Sequence, residues 1–125
     1  MILDTSALSD FLKNVASIEA VVRRSPQPSI PVIVLGEYRF GLRASRYRAA
    51  IEAGLDSFLL DCTVLDVDQE TADYYADVRS ELKSAGTPIP ENDVWIAALA
   101  RQHNLPILTR DAHFDQVKGL KRFSW

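Results

Sequence analysis

Asp4, Glu37, Asp93 and Asp111 are set against apolar sequence, where a soluble domain ordinarily places hydrophobic residues. A carboxylate buried alone is costly, so such groups are paired or bound to a metal. Four of them in one pocket would repel each other unless a cation stood among them. A ligand set made only of oxygen favours a hard cation, Mg2+ or Mn2+, over zinc. Magnesium held by carboxylates typically serves phosphates: it lowers the pKa of a water, orients it for in-line attack and neutralises transition-state charge. The chemistry expected of this set is hydrolysis of a phosphodiester.

The elements around the four acids say how they would be brought together. Ile2-Leu3 reads as a short buried strand ending in Asp4-Thr5-Ser6, which can cap a following helix. Helices are expected over roughly 15–24, 33–44, 46–60, 69–84 and 91–103, and further strands at Ile30 to Val32, Thr63 to Val67, Pro106 to Thr109 and Leu120 to Trp125. Breakers at Ser25-Pro26-Gln27-Pro28, Gly86-Thr87-Pro88 and Asn104-Leu105-Pro106 separate these segments without marking a domain boundary. Strands alternating with helices imply an α/β fold with a mainly parallel sheet covered on both faces, in one domain over residues 1–125. Ligands of such sheets bind beyond the carboxyl ends of the strands, where Asp4 and Asp111 would lie.

Each acid also has a plainer explanation. Asp4 and Asp111 follow strands and precede helices, so taken singly each is better read as an N-cap. Asp93 suits a first helical turn, where the helix dipole favours a negative charge. Glu37 has Ile33, Val34, Phe40, Gly41 and Ala44 at helical spacing, which places it on an inward stripe away from Arg39, Arg43 and Arg46. Asp93 likewise neighbours Ile89, Pro90, Ile96, Ala97 and Ala100. Two strand-end acids together with two inward-facing ones are less easily explained by four independent accidents. Thr109 can hydrogen-bond and orient a neighbouring carboxylate, and Thr5, Ser6 and Asn92 are polar supporters beside the acids. His113, two residues after Asp111, and Asp115 can reach the rim.

Composition bounds the alternatives. The chain has 125 residues, 47% hydrophobic and 25% charged, an ordinary globular balance. The net charge of −3 argues against binding nucleic acid through bulk positive charge. Of the 17 acids, however, four belong to the suspected site, and those left over nearly balance the 14 Lys and Arg. A nucleic-acid substrate is therefore compatible. Met1 runs directly into Ile2-Leu3-Asp4 with no secretory pattern, and no apolar run approaches the ~20 residues of a membrane span. One cysteine, Cys62, forms no intrachain disulfide and no cysteine zinc site. A cytoplasmic protein is expected. There is no Gly-x-x-x-x-Gly-Lys-Ser/Thr loop and no nucleophile elbow, and Ser6 stands where a phosphoaspartate-forming phosphatase usually has its second Asp.

The ordered motifs resemble the PIN-domain ribonucleases, and within them the VapC toxins of toxin–antitoxin pairs. The resemblance rests on Met1-Ile2-Leu3-Asp4-Thr5-Ser6-Ala7, Val34-Leu35-Gly36-Glu37-Tyr38-Arg39-Phe40-Gly41, Asn92-Asp93-Val94-Trp95-Ile96-Ala97-Ala98 and Leu108-Thr109-Arg110-Asp111-Ala112-His113-Phe114, and covers essentially the whole chain. It implies a three-layer α/β/α sandwich, an endoribonuclease using Mg2+ or Mn2+, a cognate antitoxin and a homodimer. By the same resemblance Asp4, Glu37, Asp93 and Asp111 are the catalytic metal-binding acids and Thr109 their polar support. Some relatives carry a further acid where this chain has His113, which leaves a second metal position open.

The basic stretch Arg39, Arg43, Arg46 and Arg48, with Tyr47 inside it, suits contact with RNA phosphates and stacking on bases, and equally a solvated helix face. Two other functions stay open at this point. One is a non-catalytic PIN-like module that binds RNA or protein. The other is a structure-specific DNA nuclease, disfavoured by a length that leaves no obvious room for a duplex-binding arch.

Overall fold

The computed structural model describes residues 1–125. Five short strands, β1 (Ile2–Leu3), β2 (Ser29–Pro31), β3 (Thr63–Leu65), β4 (Ile107–Leu108) and β5 (Arg122–Phe123), form one sheet in the order β3-β2-β1-β4-β5. Every pairing is parallel. A parallel sheet needs both faces covered, and the central strands are accordingly continuous apolar runs: Ile2, Leu3, Ile30, Ile107 and Leu108 have no solvent exposure. β3 is an edge strand, and Val64 within it and Val67 just beyond it stay partly exposed.

Six helices connect the strands: α1 (Thr5–Leu12), α2 (Ala16–Val22), α3 (Val32–Leu42), α4 (Arg48–Leu59), α5 (Gln69–Ser84) and α6 (Glu91–Gln102). A 3-10 helix (Ala112–Gln116) joins β4 to β5. The crossovers β1 to β2 and β2 to β3 run one way along the sheet, and β3 to β4 runs back. Since such crossovers are right-handed, α1–α4 cover one face and α5 and α6 the other. The expected α/β/α layering is therefore present. No helix is long and apolar enough to cross a membrane.

The chain is punctuated where its breakers stand. Gly86, at φ 68°, ends α5: Thr87 N–H bonds the Leu82 carbonyl (3.0 Å) and Gly86 N–H that of Lys83 (3.1 Å). Asn104, at φ 52°, ends α6 the same way, with Leu105 N–H on the Ala100 carbonyl at 2.9 Å. These are two Schellman turns, one on Gly and one on the residue that best tolerates the left-handed region after it. The second aims the chain through Pro106 into β4.

β1 is the pivot of the sheet. One neighbour, β2, follows it in sequence, and the other, β4, returns after α6. Register pairs Leu3 with Leu108, so Asp4 leaves β1 beside Thr109. That crevice, where strand order reverses, is where open α/β sheets bind ligands.

Candidate metal centre

Asp4 connects β1 directly to α1. Its extended backbone makes it the N-cap, and its Oδ1 accepts Ala7 N–H at 2.7 Å. Ser6 Oγ donates to both Asp4 oxygens, at 2.8 and 3.0 Å, and Thr109 Oγ1 donates to Oδ2. Capping and site membership are thus not alternatives for Asp4: the cap fixes the carboxylate at the strand end. Burial pushes its pKa up, while the bonds from Thr109, Ala7 and Ser6 pull it back.

Glu37, on α3, accepts from Thr5 Oγ1 on one oxygen and Asn92 Nδ2 on the other. Three elements, α1, α3 and α6, meet through this one side chain. The reason expected from the sequence is corrected here. The buried stripe of α3 is Val34, Tyr38 and Leu42, whereas Phe40 is 80% exposed. Glu37 lies half-buried at the margin of that stripe, directed by its two hydrogen bonds.

Asp93 sits in the first turn of α6, just ahead of the buried run Ile96 to Ala100. Its side chain retains 17% exposure. Burial raises its pKa to about 6; the charges of Asp111, Glu37 and Asp4 push the same way and the His113 ring opposes them. Asp111 caps the 3-10 helix by accepting His113 N–H at 2.9 Å, and its own N–H donates to Thr109 Oγ1 at 2.9 Å. Thr109 is wholly buried and so holds Asp4 and Asp111 in one bonded chain.

The four acids line a single cleft of about 430 Å³ together with Thr5, Ser6, Ile96 and Arg110. The tightest ligand group within it is narrower. Asp93, Asp111 and His113 each offer an atom within 4.8 Å of the others, and Asp4 and Glu37 stand outside that group. His113 Nδ1 is 3.0 Å from Asp111 Oδ1 and 3.7 Å from Asp93 Oδ2, although the ring lies on the rim. Carboxylates gathered into one cleft, two of them with a His ring nitrogen within 4.8 Å, are an oxygen-rich donor set that a hard divalent cation fits.

Asp115 does not reach the cleft, because Arg122 takes both its oxygens at 2.7 and 2.8 Å. Arg39 and Arg43 turn to α4, pairing with Asp56 (2.9 Å) and Glu52 (3.0 Å), and Arg48 shares Glu52 at 3.2 Å. Arg46 stacks over the exposed Tyr47, 5.5 Å from its centroid. Cys62 is half-buried with its thiol pushed up to about 11 by burial and by Asp61, so it supplies no thiolate nucleophile near neutrality. Arg110, on the cleft wall, was no part of the expected site. The signal for it was its position between Thr109 and Asp111.

The model of the PIN domain family matches residues 1–120. Ribonuclease VapC5 of Mycobacterium tuberculosis is 36% identical over 91 residues, 70% of this chain and 67% of that protein. Ribonuclease VapC2 of Haemophilus influenzae is 31% identical over 94 residues, 74% of this chain and 71% of that protein. Among solved structures, that of VapBC2 from Rickettsia felis, bound to a DNA fragment from its promoter, superposes with a TM-score of 0.90 at 26% identity, covering 99% of this chain and 97% of that one.

Proposed function

The chain belongs to the PIN-domain family, and from that premise we propose that it is an endoribonuclease dependent on Mg2+ or Mn2+, the toxin of a toxin–antitoxin pair. The observation that carries this reading is the convergence of Asp4, Glu37, Asp93 and Asp111 on one cleft from four separate elements. The names of the VapC ribonucleases support the RNA substrate.

Asp4, Glu37, Asp93 and Asp111 would hold the cation, with His113 beside Asp93 and Asp111. When bound, the cation supplies a lowered pKa for water and charge neutralisation on the phosphate. The chain's own part is positioning. Thr109, Ser6 and the Ala7 N–H fix the Asp4 carboxylate, and Thr5 and Asn92 fix that of Glu37, so little reorganisation is left for the reaction. Burial and the neighbouring carboxylates raise the Asp93 pKa to about 6, so a cation that takes this carboxylate as a ligand displaces its proton. In the overall reaction one water is added, one P–O bond breaks, and the leaving sugar oxygen takes a proton.

A cognate antitoxin and a homodimer complete the proposal, in a cytoplasmic setting. The antitoxin is supported by the VapBC2 complex, and both partners by exposed apolar side chains on α3 and after α4, Phe40 and Leu60. Arg46 and Tyr47, exposed between those helices, are proposed RNA contacts.

The test is cleavage of RNA by the purified chain in Mg2+ or Mn2+. Wild type is expected to cut, and Asp93→Asn or added EDTA to abolish cutting. Cleavage that survives both removes the mechanism. RNA binding without turnover in the wild type would instead favour the non-catalytic module.

A further inference from the structure

Arg110 is the one cation among the residues that line the carboxylate cleft. Its guanidinium is not spent on the four acids. Nη1 lies 3.1 Å from Asp10 Oδ2, and the guanidinium carbon sits 4.4 Å from the centroid of the Trp125 ring. The same Asp10 oxygen accepts Trp125 Nε1–H at 3.2 Å. One carboxylate on α1 thus fixes an arginine and the aromatic face beneath it. The arrangement leaves the Arg110 side chain 54% exposed at the edge of the cleft it helps to line, with Asp10 as the carboxylate paired to its five-donor guanidinium.

A surface arginine does not need an aromatic floor and a shared carboxylate merely to be soluble, and orienting a flexible side chain costs entropy. What the arrangement provides is a planar fork held in one place beside a site that handles phosphodiesters. A guanidinium fork matches a phosphate. The acid cluster repels an RNA strand, so a fixed positive charge at its edge is what admits one. Resting on the ribonuclease reading above, we infer that Arg110 binds the RNA phosphate flanking the one that is cleaved, with Asp10 and Trp125 as positioning residues that hold its fork toward the strand.

The experiment uses a labelled single-stranded RNA oligonucleotide. Steady-state cleavage is measured for wild type, Arg110→Met, Arg110→Lys and Trp125→Leu. Binding anisotropy is followed over a salt series for Asp93→Asn with and without Arg110→Met, and thermal melts confirm that each variant is folded. Arg110→Met is expected to raise KM and Kd about ten-fold, to leave kcat within about two-fold, and to reduce the slope of log affinity against log salt by about 0.7, the value for one phosphate contact on a single strand. Arg110→Lys restores the slope but only part of the affinity, since a point charge lacks the fork. Trp125→Leu raises KM with the slope unchanged. Wild-type KM and slope in Arg110→Met, in a background that cleaves RNA, overturn the assignment alone. A fall in kcat at constant KM also overturns it, because it would put the guanidinium on the reacting phosphate. A wild-type chain that neither binds nor cleaves RNA overturns the ribonuclease reading and this inference with it.

Discussion

The hydroxyl of Thr109 donates to the carboxylate of Asp4, across 105 positions of sequence and one strand pairing. The same oxygen accepts the Asp111 N–H. One wholly buried side chain therefore sets the relative position of two of the four acids.

Thr109→Val removes that hydroxyl at nearly constant volume. It leaves an Asp4 oxygen short of a donor and the Asp111 N–H short of an acceptor, and is expected to cost about 1–3 kcal/mol in denaturant unfolding. RNA cleavage is expected to fall about 10- to 100-fold. Thr109→Ser should retain most of both. Wild-type cleavage by the valine variant would show that the bridge does not orient the site.

Asp4 has two separable roles, and two substitutions part them. Asp4→Asn keeps an oxygen for Ala7 N–H, whereas Asp4→Ala loses the cap at about 1 kcal/mol. Both are expected to abolish metal-dependent cleavage, with Asn the more stable in thermal melts. Full activity in Asp4→Asn would take Asp4 out of the metal set.

Asp93 gives a pH dependence of definite sign. Its folded pKa is raised from 3.8 to about 6, chiefly by burial. Between those values the folded chain holds a proton that the unfolded chain has released, so without metal the Asp93 contribution to stability falls as pH rises through this window. Cation binding runs the other way, because it needs the ionised carboxylate. Mn2+ affinity by titration calorimetry should therefore rise from about pH 5 to about pH 7 with proton release, and Asp93→Asn should flatten the rise. A wild-type affinity constant over that range would contradict the assignment.

Phe114 is 1% exposed and pins the 3-10 helix that follows Asp111. Phe114→Ala is expected to cost about 3–5 kcal/mol, read as a shift in denaturant midpoint at constant slope. A loss below about 1 kcal/mol, smaller than a cavity of that size leaves, would mean that the 3-10 helix is held by something else.

Much of this architecture is legible in the residues themselves, because the signals are strong where the structure is regular. Uninterrupted apolar pairs mark strands buried on both faces, and Gly86 and Asn104 stop helices where only a left-handed residue can. Asp4 and Asp111 are readable as strand-end acids for the same reason. What periodicity misreads is Glu37, since a count of apolar neighbours cannot tell a core stripe from an uncovered one: Phe40 counts as inward and faces water. The Asp10–Arg110–Trp125 cluster is illegible for a different reason. Its members are about a hundred positions apart or sit amid ordinary surface sequence, and only the return of β4 beside β1 brings them into contact.

That return has a bearing on synthesis. Residue 4 is among the first laid down and residues 109–111, which pair beside it, come among the last, so no truncated intermediate emerging from a ribosome owns an assembled reaction centre.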